Sequence, residues 1–158
     1  MASNLKNLGD HSSKNMASVK NKKIGIIVSE WNDQITDSLL SAAHEVLIAH
    51  GGKQKNIIIK YVPGSFELPL AAQYLASQKD IDAVICLGCV IQGETRHFDF
   101  ICDAVANGIT NVALKYNKPV IFGVLTTNNI QQALDRAGGK HGNKGEEAGI
   151  TAVKMLSF

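Results

Sequence analysis

With 158 residues, 45 % hydrophobic and 19 % charged, the chain fits one compact domain: too short for two cores, too apolar for disorder. Residues 1–23 hold five of the sixteen Lys and Arg but one of the fourteen acids, so the net charge of +2 divides into a leader at +4 and a body at −2, and a nucleic-acid face loses its support. No apolar run approaches the ~18 residues of a membrane span, nothing near the start resembles a secretory signal, and three cysteines (Cys86, Cys89, Cys102) are too few and too clustered for a disulfide framework, so a cytoplasmic protein is expected.

Residues 1–22 mix Ser, Asn and Lys without periodicity and read as a flexible N-terminal segment; residues 23–158 read as one domain. Four short apolar runs follow, at 24–28, 57–62, 83–91 and 120–125. Most are near-continuous Val, Ile, Leu and Cys, as in parallel strands buried on both faces. Helical spacing fills the intervals: Ile35, Leu39, Ala43 and Leu47 before Gly51–Gly52, then 68–76, then Phe98 to Val112. Two more helices are expected at 130–137, stopped by Gly138–Gly139, and at 144–156, where Asn143 and Glu146 form a capping-box pattern. Alternating strand and helix give a three-layer α/β/α sandwich over a four-stranded parallel sheet.

Ligands of open α/β sheets bind beyond the carboxyl ends of the strands. Here the first strand leads to Glu30, Trp31 and Asn32, and the second to Pro63-Gly64-Ser65-Phe66-Glu67. The third leads to Gln92-Gly93-Glu94-Thr95-Arg96-His97, and the fourth to Thr126 and Thr127. An aromatic, carboxylates, a histidine and hydroxyls thus converge on one edge. Each also has a plainer reading. A lone Trp beside a strand fits a core cap, and Glu67 suits a first helical turn whatever its function. His97 opens a helix after a Gly-containing turn, where an imidazole can exchange protons near neutrality. Free N–H groups at that helix start, with a Thr hydroxyl, suit a phosphate. Arg136 is one of two arginines; it serves equally as a forked phosphate ligand or a cation at a helix end.

Three motifs fail on context. Cys86-Leu87-Gly88-Cys89 lies within a strand rather than at a helix start, so its thiols read as small core residues on opposite faces. Gly138 to Gly145 departs from the phosphate-loop pattern at Asn143 and Gly145 and follows a helix. The five histidines have no metal-ligand spacing, so no metal is expected.

Taken together, Trp31, VPGSFELP (62–69), GCVIQGETRHFDFIC (88–102), FGVLTT (122–127) and RAGGKHGNKGEEA (136–148) resemble the 6,7-dimethyl-8-ribityllumazine synthase family, in its order and spacing, from about Lys23 to the C-terminus. The resemblance implies a flavodoxin-like fold and condensation of 5-amino-6-(D-ribitylamino)uracil with 3,4-dihydroxy-2-butanone 4-phosphate, the penultimate step of riboflavin biosynthesis, with no cofactor. It implies that Trp31 stacks on the pyrimidine and that Ser65, Phe66 and Glu67 hold the ribityl chain. Cys89, Val90 and Ile91 would contact the pyrimidine, while Glu94 and Thr95 bind phosphate with Arg136. His97 matches the proton donor, Phe122 an aromatic supplied by a neighbouring subunit, and Lys144 and Glu147 polar positions near the site. Pentamers are implied, and the short 138–143 segment favours a shell of twelve; the leader is expected on a neighbour's sheet edge. Riboflavin synthase is the implied protein partner.

Two rivals share the architecture. A riboflavin synthase on the same fold would consume the lumazine instead of making it. A receiver domain needs an acidic cluster after the first strand and an Asp ending the third, where this chain has Ser29-Glu30-Trp31 and Val90-Ile91-Gln92.

Overall fold

Runs of β-branched residues alternate with helical periodicity, and the elements form where that change of period falls. The computed structural model describes residues 17–158. In chain order they are β1 (Ile24–Ser29), α1 (Asp33–Ala49), β2 (Ile57–Val62), α2 (Leu68–Ala76), β3 (Ala83–Ile91), α3 (His97–Tyr116), β4 (Val120–Thr127), α4 (Ile130–Asp135), a small hairpin of β5 (Ala137–Gly139) and β6 (Gly142–Asn143), and α5 (Lys144–Met155).

The four main strands pair in parallel in the order β2-β1-β3-β4. Side chains alternate across a strand, so β1 and β3 feed two cores. Ile26, Val28, Ile85 and Leu87 pack with Leu39, Ala43 and Leu47 of α1 and Ala148 and Ala152 of α5. Ile27, Val84 and Cys86 pack with Leu68 and Ala72 of α2 and Val105 and Ile109 of α3. The three-layer sandwich with a flavodoxin-like parallel sheet is therefore present. Burying aliphatic side chains of this size stabilises by about 1.5–3 kcal/mol each before entropy is counted.

Three details differ from the sequence reading. β2 is an edge strand, and Lys60 and Tyr61 are exposed, so its apolar run is not buried on both faces. The fourth helix ends at Asp135 rather than 137, because Arg136 leaves the helix and the chain turns into the hairpin. Gly138 (φ +101°) and Gly142 (φ +76°) take left-handed conformations there that side-chain-bearing residues resist. Asn143 caps α5 by accepting from Gly145 N at 2.8 Å, with no reciprocal bond from Glu146 among the described residues.

At the other end, residues 1–16 of the expected leader lie outside the described residues. Upstream of Lys23, Val19 is buried in the α1 core and its N–H donates to His50 O at 2.9 Å. Among the described residues no helix is long and apolar enough to cross a membrane.

Candidate active site

The sheet order places a crevice between β1 and β3, where the chain switches from building one side of the sheet to building the other. β1 ends at Ser29, but pairing with the β2 side continues: Glu30 N donates to Val62 O at 2.8 Å and Trp31 N to Pro63 O at 3.2 Å. Trp31 is 72 % exposed, which rejects the core-cap reading. Asn32 follows with φ 62°, ψ 47°, and its Nδ2 donates to Cys89 O at 2.9 Å.

Beyond β2, Ser65–Glu67 form a single 3-10 turn leading into α2. Ser65 is buried against Gly88 of β3, and its Oγ has no hydrogen-bond partner among the described residues. Phe66 and Glu67 are exposed. At the end of β3, Cys89 is buried, Val90 and Ile91 are half-buried, and the loop from Gln92 to Arg96 is exposed. His97 is the first residue of α3, also exposed, and its N–H reaches Thr95 Oγ1 at 3.4 Å. Arg96 pairs with Asp99 at 3.2 Å on the surface, an interaction of little energetic weight.

A second group gathers along the outer edge of β4. Phe122, Thr127, Arg136, His141 and Lys144 line a cleft of about 800 Å³. Arg136 is nearly buried: one terminal nitrogen donates to His141 O at 2.5 Å, the other to Glu147 Oε1 at 2.8 Å. Lys144 Nζ takes the remaining carboxylate oxygen of Glu147 at 3.2 Å. One carboxylate thus fixes two cations. On the rim, Asp135 accepts from Gln131 and pairs with Lys140 at 3.2 Å, and these contacts, the Gln131 hydrogen bond foremost, hold its carboxyl below the usual range.

Trp31, Ser65, Phe66, Glu67, Glu94, Thr95 and His97 are not among the residues lining this cleft. Gln132 and Asp135 of α4 and Lys140 and His141 of the hairpin turn line it without having been singled out in the sequence; the hairpin has no periodicity to read. Thr127 Oγ1 is buried there without a partner among the described residues. Burial pushes the Cys86 thiol up to about 12 and Cys89 up to about 11, leaving both protonated and unreactive, on opposite faces of β3 as their spacing predicts. Among the described residues no three His, Cys, Asp or Glu side chains cluster to hold a metal ion.

An exposed indole, hydroxyls and a histidine at the carboxyl edge of a parallel sheet stand where α/β proteins of the flavodoxin-like class bind small ligands. Residues 21–158 match the family model described as 6,7-dimethyl-8-ribityllumazine synthase. Curated proteins of that name are similar over almost the whole of this chain. One from Cytophaga hutchinsonii is 62 % identical over 99 % of this chain and 98 % of its own. One from Parabacteroides distasonis is 50 % identical over 100 % and 99 %, and one from Flavobacterium johnsoniae 50 % identical over 98 % and 82 %. The chain belongs to the 6,7-dimethyl-8-ribityllumazine synthase family of riboflavin biosynthesis.

Proposed function

We propose that the chain condenses 5-amino-6-(D-ribitylamino)uracil with 3,4-dihydroxy-2-butanone 4-phosphate, releasing phosphate and water, at a site that two copies complete. The observation carrying this reading is the separation of the chemistry into two groups. Arg136 lines a cleft on the β4 edge together with Phe122 and Lys144, and that lining includes none of Trp31, Ser65, Glu67, Glu94, Thr95 and His97, which follow β1, β2 and β3.

In this reading the exposed indole of Trp31 stacks on the pyrimidine, bordered by Cys89, Val90 and Ile91. The ribityl hydroxyls meet Ser65 and Glu67 beside Phe66. The phosphate lies at Glu94 and Thr95, joined by Arg136 of the partner subunit, with Phe122 of the partner subunit closing over the ring. Lys144 and Glu147 keep Arg136 oriented. Imine formation and loss of phosphate both require proton transfer, which His97 supplies from the start of α3. No electrons are exchanged, so no redox cofactor takes part. Holding an amine and a ketone together in water-poor contact accounts for much of the acceleration, since proximity alone is worth several kcal/mol.

The assembly that fits is a pentamer, and twelve pentamers in a shell are favoured by the tight hairpin between α4 and α5, which has no insertion. Exposed Tyr61 on β2, Phe66 in the turn after it, and Leu70 and Tyr74 on α2 offer apolar surface for such a neighbour. Such a shell works in the cytoplasm, and riboflavin synthase, which consumes the lumazine, is its natural protein partner. Mixing the two precursors with the enzyme is expected to yield fluorescent 6,7-dimethyl-8-ribityllumazine and one phosphate per turnover. Consumption of added lumazine, with none formed from the precursors, would overturn the reading in favour of a riboflavin synthase.

A further inference from the structure

We propose that Asn32 is a positioning residue that sets the indole of Trp31 for the pyrimidine, by its left-handed backbone and by an amide bridge across the strand crevice. The proposal rests on Trp31 being the pyrimidine platform.

The chain leaves β1 at Ser29 yet stays fastened to the β2 side through the N–H groups of Glu30 and Trp31. One residue later it must turn into α1, whose first helical bonds run from Ile35 N and Thr36 N to Asn32 O at 2.9 and 3.1 Å. A left-handed residue makes that reversal, and Asn32 takes it at φ 62°, ψ 47°. Apart from Gly, Asn and Asp enter this region most readily, through local hydrogen bonds of their short side chains. Here the side chain does not bond locally. Its Nδ2 crosses to the carbonyl of Cys89 on β3 at 2.9 Å, 57 residues away in sequence. A carbonyl only accepts, so the amide nitrogen must face it, which removes the usual ambiguity of an Asn side chain.

Trp31 is therefore held on both flanks: its own N–H on Pro63 of the β2 side, and its successor's side chain on β3. The indole remains 72 % exposed on a backbone hydrogen-bonded at both flanks. A large aromatic surface held in place before binding loses less conformational freedom when a ring stacks on it. The bridge also spans β1 and β3 at the switch in strand order, where ligands of open α/β sheets bind. It ties the platform to Cys89, the strand end that borders the same ring.

The test separates the bridge from the turn. Asn32→Gly keeps the left-handed conformation and deletes the bridge; Asn32→Asp keeps the turn but sets a carboxylate against the Cys89 carbonyl. Trp31 is the only tryptophan, so its emission reports the platform directly. For the assembled Asn32→Gly enzyme, KM for the uracil is expected to rise roughly 2- to 12-fold, the equivalent of one net hydrogen bond. KM for the butanone phosphate and kcat should change less. Quenching of Trp31 emission by added 6,7-dimethyl-8-ribityllumazine should weaken by a similar factor, and further in Asn32→Asp. Parental KM and quenching in Asn32→Gly, or an equal rise in both KM values, would overturn the proposal. If the parental enzyme binds lumazine without any change in Trp31 emission, the platform reading itself falls, and the proposal with it.

Discussion

Arg136 has both terminal nitrogens engaged, on His141 O and on Glu147, before any substrate arrives. Glu147 in turn holds Lys144, so a single carboxylate cancels part of the repulsion between two cations and aims them together. Replacing it sets geometry against charge: Glu147→Gln makes the cleft more positive but leaves a single acceptor oxygen where each cation had its own, so their alignment loosens. Geometry should win, because a charged hydrogen bond is worth about 1.5–3 kcal/mol while the released charge is shared with solvent. Steady-state kinetics of Glu147→Gln should give a KM for the butanone phosphate raised about 10-fold or more, with the uracil much less affected; a lowered KM would mean that charge dominates. For His97→Ala the rate should drop roughly 10- to 1000-fold without loss of fold, since positioning survives when proton transfer does not and the side chain is exposed. Parental turnover with an unchanged pH profile would leave His97 no chemical role. At this scale the period-2 rule was enough to bury Cys86 and Cys89 on opposite faces. Trp31 was ambiguous because a core cap and a binding platform both follow a strand, and only its exposure distinguishes them.

Strands and helices with a sustained period were legible: the bounds of β3 and α2 fall where the apolar pattern puts them. What the pattern could not give was decided by neighbours. β2 has a partner on one side only, so Ile58 and Ile59 are half-covered and only Ile57 is buried, although their composition matches the central strands. The β5–β6 hairpin, three residues against two, is too short to have a period and depends on Gly138 and Gly142 turning left-handed. It matters because it carries His141 and Lys140 to the cleft and delivers Lys144 N to Arg136 O at 2.9 Å. Element packing also explains Gly145: a Cβ there would run into the Leu39 carbonyl of α1. Gly145→Ala should therefore push α5 off α1 at a cost of about 1–3 kcal/mol, seen in thermal denaturation as a midpoint lower by roughly 2–12 °C. Since α5 carries Lys144 and Glu147, the butanone phosphate should bind less well too. An unchanged midpoint would mean that the helix pair relaxes freely at this contact.

For the molecule as a whole, the family resemblance implied that a neighbouring subunit supplies part of the site, whereas composition and periodicity did not. Motif order says nothing of distance, and the lining of the Arg136 cleft on the edge strand β4 includes neither Trp31 nor His97. An open edge and an exposed apolar face on the same small domain are liabilities that association removes. Each site, in the proposed function, takes one group from each of two copies. The direct measurement is subunit complementation: His97→Ala and Arg136→Ala chains, each purified alone and then co-assembled in equal amounts. Random mixing pairs an intact crevice with an intact cleft at about a quarter of the shared sites, so lumazine formation should climb to roughly a quarter of the parental rate, well above either variant alone. If the mixture turns over only at the average of the two separate variants, each chain holds its whole site and the shared-site account is wrong.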